Sequence, residues 1–194
     1  LAGDGGGPGP DLIYLPERPF EEEAYLRDVE RLLQKKKGIV VVASEGLKDR
    51  SGRPIVEPIF TASRATYFGD VGAHLANLVI KRLGYKARSE KPGLIGRASI
   101  LLQSSIDREE AIEAGRRATQ AVLAGETGKM VAFRRRSDSP YRAEPFLVEI
   151  SQVMMTERVV PDAYINAEGN GVTEAFKDWC RPLLGEELPE MISF

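Results

Sequence analysis

Asp11-Leu12-Ile13-Tyr14-Leu15-Pro16, a periodic run over residues 20–37, and Gly38-Ile39-Val40-Val41-Val42 together decide the fold. The first segment reads as a short apolar strand closed by proline. The run over 20–37 predicts an amphipathic helix, with Tyr25, Leu26, Val29, Leu32 and Leu33 on one side. Gly38 supplies a helix stop. Ile39 to Val42 is a β-branched run of the kind found in buried parallel strands. Strand, helix and strand in succession predict an α/β lobe with a mainly parallel sheet flanked by helices.

Working outward, residues 1–10 are Gly/Pro-rich and expected to be a flexible segment. Residues 47–66 carry the turn signal Asp49-Arg50-Ser51-Gly52-Arg53-Pro54, which fits a flap, an interface element or a solvated loop. A helix is predicted over 69–83, capped by Gly84, with strands at 85–91 and 95–103. Asp107 is placed as the cap of a helix reaching Ala124, stopped by Gly125. Met130 to Phe133 and Pro145 to Ile150 read as a hairpin joined by a basic turn at 134–142. Pro161 opens a polar stretch, and Thr173 to Leu184 reads as a last helix. The domain reading is a lobe over 11–160 and a helical extension over 161–194.

The chain has 194 residues, enough for one substantial core. Its formal net charge of −2 creates no field that would draw nucleic acid or a membrane surface, so neither partner is expected. The one cysteine, Cys180, fits a reducing cytoplasm. His74 is the only histidine and has no second ligand near it in sequence, so no zinc site is expected. No stretch approaches the roughly 20 apolar residues of a membrane span.

The chemistry is concentrated in Leu83-Gly84-Tyr85-Lys86-Ala87-Arg88-Ser89-Glu90-Lys91-Pro92-Gly93-Leu94-Ile95-Gly96-Arg97. Arg88 and Arg97 each offer a planar fork of donors matched to phosphate oxygens. Tyr85 adds a phenol, and Gly93 and Gly96 permit close backbone approach. A sugar-phosphate pocket and an ordinary charged surface strand both fit this spacing. Glu17, just past the carboxyl end of the first strand, fits either a sugar-hydroxyl acceptor or a charge at a helix N-terminus.

Taken in order, Pro16-Glu17-x-x-Phe20, Gly84-Tyr85-x-x-Arg88 and Gly93-x-x-x-Arg97 resemble the phosphofructokinase superfamily. So does the tail Ile165-Asn166-x-Glu168-Gly169-Asn170-x-Val172-Thr173-x-x-Phe176 with Arg181-Pro182-Leu183. The pyrophosphate-dependent branch is the most similar. Leu94 departs from the histidine of the ATP-dependent bacterial pattern, and Ala98-Ser99 depart from its two glycines.

The resemblance implies one lobe of a two-lobed enzyme that transfers a phosphoryl group from pyrophosphate to the 1-hydroxyl of fructose 6-phosphate. ATP is the alternative donor, and a non-catalytic sugar-phosphate-binding lobe is the alternative class. Glu17 would accept from sugar hydroxyls, Tyr85 and Arg88 would hold the 6-phosphate, and Arg97 would add a second guanidinium. The family's donor loop, its Thr-x-Asp-x-Asp segment and its Met-Gly-Arg segment are not readable, and the chain begins at Leu1. The resemblance therefore implies a carboxyl-terminal half, inactive alone, with Mg2+ held by residues of the other half. It also implies a homo-oligomer.

Overall fold

The computed structural model describes residues 9–62, 65–100, 103–154 and 156–185. They form two compact units, the first made of 9–97 and 160–173, the second of 98–159 and 174–185. The expected extension is thus divided, 161–173 joining the first unit and the rest the second.

In the first unit, β1 (Leu12–Tyr14) lies parallel to β2 (Val41–Ala43), with Leu12 opposite Val41 and Tyr14 opposite Ala43. Leu12 and Tyr14 point into the core, as the two-residue period of a strand requires. Between these strands runs α1 (Glu22–Leu33), which buries Tyr25, Leu26 and Val29 on one stripe. Glu22 and Glu23 open α1 and Arg31 sits in its last turn, both favourable to the helix dipole. The helix ends at Leu33, short of Gly38. Gln34-Lys35-Lys36-Lys37 beyond it are polar or charged, with nothing apolar to bury.

α2 (Val71–Leu83) places Val71, Leu75 and Val79 four residues apart against the same core. Asp70 caps it by accepting from the Ala73 N–H at 2.9 Å. Gly84 ends it in the left-handed region at φ 74°, where a Cβ would be strained. Tyr14, Phe20 and Tyr25 form an aromatic triangle, with centroids 5.2 to 5.7 Å apart. The Tyr25 hydroxyl donates to the Leu75 carbonyl across the two helices. Leu47, just beyond β2, is only 1% exposed and completes this core.

In this unit β1–β2 is a parallel pair, and a separate antiparallel pair accompanies it. Within 47–66, Asp49 organises a turn by accepting from the Ser51 and Arg53 N–H groups. An antiparallel ribbon follows, β3 (Pro58–Ala62) with β4 (Ala65–Phe68). Residues 85–91 and 95–100 are not strands. The first stretch is unpaired, and Gly93–Arg97 is a short helix, α3; residues 101 and 102 lie outside the described residues. Gly96 is needed in α3, because a Cβ there would stand 2.6 Å from Pro92 Cβ.

In the second unit, α4 (Ser105–Leu123) is capped by Ser104, which accepts from the Asp107 N–H at 3.1 Å. The cap is therefore Ser104 rather than Asp107, one turn earlier. β5 (Lys129–Asp138) and β6 (Tyr141–Glu149) form the expected hairpin, but with the basic run inside β5 instead of in the turn. The ladder gives each guanidinium a partner: Arg134 lies over Phe146 at 4.8 Å, and Arg136 pairs with Glu144 at 2.6 Å. Arg135 lies between Tyr141 and Trp179, at 5.1 and 5.5 Å. α5 (Ile150–Val153) follows β6, and α6 (Glu174–Cys180) passes into a 3₁₀ turn, Arg181–Leu184.

Candidate functional site

Past Gly84, the chain doubles back along α2. Lys91 Nζ is 3.2 Å from Asp70 Oδ2 at the start of α2, and a Cβ on Gly72 would lie 3.2 Å from Ser89 Cβ. The 13 residues of α2 rise about 20 Å, and the chain from Gly84 to Lys91 reaches at most about 23 Å. Residues 85–90 are therefore nearly fully extended, although no strand pairs with them. An extended chain alternates its side chains. Ala87 packs on the core and Ser89 faces α2, so Lys86 and Arg88 share the outward side.

Around this segment opens a concavity of about 440 Å³, lined by Ile80, Gly84, Tyr85, Lys86, Ala87 and Arg88, residues from both sides of the extended stretch. Ile80 and Tyr85 stay 45% and 42% exposed and give it an apolar wall. Neither Lys86 nor Arg88 makes a side-chain hydrogen bond or ion pair among the described residues. Glu90, two residues past Arg88, is exposed and does not line the concavity, and Asp70 at the start of α2 is occupied. The Ala73 N–H and then Lys91 hold its carboxyl below the ordinary aspartate value. Lys86 and Arg88, without a hydrogen-bond or ion-pair partner among the described residues, line the concavity with a phenol and the bare backbone of Gly84, groups able to accept an anion.

Of the residues singled out from the sequence, Tyr85 and Arg88 meet in this concavity. Glu17 is not among its lining residues. Arg97 closes α3, and its side chain lies outside what the structure describes. Lys86 was not singled out from the sequence, although the strand expected at 85–91 also puts it on Arg88's side.

Glu17 sits in the turn after β1, five residues before α1 begins, so it is not the charge at that helix's start. Its Oε1 accepts from the Val160 N–H at 2.8 Å. Its Oε2 is buried with no partner among the described residues. Half of this carboxylate fixes the backbone of 160, and half remains able to accept a further donor.

The tail motif clamps this region. Ile13 donates to the Asn170 carbonyl at 2.9 Å, extending the hydrogen bonding of β1. Asn166 Oδ1 accepts from the Asn170 and Gly171 N–H groups, and Asn170 Nδ2 donates to Asp28 Oδ2 at 2.6 Å. Arg18 pairs with Asp162 at 3.3 Å. Burial, with Asp28 beside it, pushes the Tyr14 phenol well above its ordinary value, so it stays protonated as a donor to Asp28. The motif that reads as a family signature thus works in this chain as a polar lock between β1, α1 and the turn bearing Glu17.

Among the described residues no three His, Cys, Asp or Glu side chains gather as metal ligands. Nor is any described helix long and apolar enough to cross a membrane.

No protein-family model matches the chain. In sequence it is similar to the pyrophosphate–fructose 6-phosphate 1-phosphotransferase of Xanthomonas campestris, at 33% identity over 97% of this chain and 46% of that protein. The enzyme of the same name from Methylococcus capsulatus is 34% identical over 92% of this chain and 43% of its own length. In fold the chain is similar to the crystal structure of a pyrophosphate-dependent phosphofructokinase from Marinobacter aquaeolei. The TM-score there is 0.73, at 30% identity, covering 96% of this chain and 43% of the other. The chain spans about half the length of the curated relatives it matches.

Proposed function

Because the chain belongs to the phosphofructokinase superfamily, we propose that it is the carboxyl-terminal, acceptor-binding part of an enzyme that transfers a phosphoryl group from pyrophosphate to the 1-hydroxyl of fructose 6-phosphate. The observation that carries this reading is the Tyr85–Arg88 concavity, with a guanidinium that has no partner among the described residues on an extended segment alongside α2. A phosphate monoester presents three oxygens to such a fork and supplies the charge it lacks. One charge-assisted bond of this kind contributes about 1.5–3 kcal/mol net, or roughly ten- to a hundredfold in affinity. Glu17, through its unpartnered Oε2, accepts from sugar hydroxyls, and Arg97 adds a second guanidinium.

Phosphoryl transfer relies on positioning and charge neutralisation rather than on a covalent step by the protein. This chain's share is to hold the acceptor. The donor site, the base and any Mg2+ belong to residues outside it, so the chain alone does not turn over. On this reading the complete enzyme is a cytoplasmic homo-oligomer.

The test is a coupled assay on the complete protein with fructose 6-phosphate and either pyrophosphate or ATP. Formation of fructose 1,6-bisphosphate with pyrophosphate is the expected result. Turnover with ATP alone would reassign the donor, and binding without turnover by either donor would make the lobe a sugar-phosphate receptor.

A further inference from the structure

We infer that the outer face of the β5–β6 hairpin is a docking surface for an acidic, amphipathic segment of a partner protein. None of its residues lines the Tyr85–Arg88 concavity, and the acceptor reading makes no use of it. The register sets Met130 opposite Val148, Ala132 opposite Phe146 and Arg134 opposite Glu144. A bulge follows, and Ser137 then stands opposite Arg142. By the two-residue period of a strand, these four rungs share one face. The opposite face is occupied: Arg135 stacks there on Tyr141 and Trp179, and the Tyr141 hydroxyl donates to Glu110 of α4. On the outer face Met130 is 44% exposed, and Arg134, Arg136 and Arg142 are exposed as well.

Over about 20 Å the face passes from two apolar rungs at the open end of the hairpin to guanidiniums near its turn. Every charge on the hairpin enters the balance. Lys129 pairs with Glu126 and Glu149, and Arg135 with Asp138. Arg136 takes the Glu144 carboxylate at 2.6 Å. Arg134 is left with the Phe146 ring, and Arg142 has no hydrogen-bond or ion-pair partner among the described residues. Glu144 is thus already taken, and the excess charge on this face is positive. A fitting partner brings carboxylates to the turn end and apolar side chains to the other end. Each guanidinium fork can meet a carboxylate through two parallel bonds. Arginine, methionine and aromatic residues are also the types enriched where proteins bind one another. Permanent contacts are more apolar than this face, two of whose four rungs carry charge, so the composition favours a partner that comes and goes.

The experiment uses the complete protein and two fluorescein-labelled probes. One is a peptide of three glutamates followed by two leucine-rich helical turns, and the other carries glutamines in place of the glutamates. Fluorescence anisotropy gives the affinities. The acidic peptide should bind at least about tenfold more tightly than the glutamine peptide, and should weaken about tenfold from low to high salt. Arg134→Glu combined with Arg142→Glu should weaken the acidic peptide at least about tenfold, while Tm stays within about 2 °C, since neither arginine makes an ion pair within the fold. Met130→Ser should weaken both peptides about threefold. Equal binding of the two peptides, or unchanged binding by the double variant, would overturn the inference. Inorganic tripolyphosphate binding as tightly as the acidic peptide would overturn it too, because the face would then be a small-anion site. So would an absence of binding by the wild type, and a Tm lowered by more than about 4 °C in the double variant would then assign the face to the rest of the same polypeptide.

Discussion

Arg88→Ala separates binding from folding more cleanly than any other change in this chain. Arg88 is exposed, has no hydrogen-bond or ion-pair partner among the described residues, and lies on the side of its segment turned away from the core. Truncating it removes no native contact that supports the fold. Stability should therefore move by no more than about 0.5 kcal/mol, and Tm by no more than about 2 °C. Affinity should respond differently. Loss of one guanidinium–phosphate contact removes about 1.5–3 kcal/mol, so the fructose 6-phosphate KM should rise ten- to a hundredfold. Arg88→Lys should recover little of this, since an ammonium cannot present two parallel donors. The assay is steady-state kinetics of the complete enzyme with each substrate varied in turn, beside thermal unfolding of the same preparation. A KM change confined to the pyrophosphate donor would refute the assignment of this concavity to the acceptor. A fall in Tm beyond about 4 °C would refute the claim that Arg88 is free of structural duty.

Asn170→Ala should do the reverse, costing about 1.5–3 kcal/mol by denaturant unfolding, because it removes a charge-assisted bond to the part-buried Asp28 carboxylate. A loss under about 0.5 kcal/mol would show that the tail does not lock β1 to α1. Asp70→Ala should cost about 1 kcal/mol through loss of the α2 cap, whereas Asp70→Asn should keep most of it. The Ala73 N–H, then Lys91, lowers Asp70 below its ordinary 3.8, so the ionised cap binds fewer protons folded than unfolded. Its contribution is complete above pH 4 or so and fades as pH falls through the lowered value. The acid limb of the stability profile should flatten in Asp70→Asn, and an unchanged limb would exclude the cap as its source. Glu17→Gln keeps an oxygen for the Val160 N–H, so acceptor kcat/KM should fall at least about tenfold while Tm moves little. Lower Tm with unchanged kinetics would make Glu17 a structural residue.

The sequence by itself determined the elements whose cause is local. α1 and α2 follow from apolar residues recurring on one side of a helix, and the end of α2 follows from a glycine at φ 74°. The parallel neighbours β1 and β2 follow from two short apolar runs with a helix between them. That Tyr85 and Arg88 border one concavity was legible only from their closeness in sequence. What depended on a partner was not legible. Lys86-Ala87-Arg88-Ser89 alternates like a strand and is as extended as one, but a strand needs a second chain to share its ladder, and here α2 lies alongside instead. The basic run at 134–136 looks like a turn until the aromatic rings of Phe146, Tyr141 and Trp179 and the Glu144 carboxylate supply its partners. Glu17 meets the backbone of a residue 143 positions away, and Asn170 meets an aspartate 142 positions away, separations that no local pattern encodes. Helix periodicity and turn chemistry are properties of neighbouring residues. Which face of an extended segment meets solvent, and which buried carboxylate oxygen is left without a donor, are fixed only when distant parts of the chain pack together.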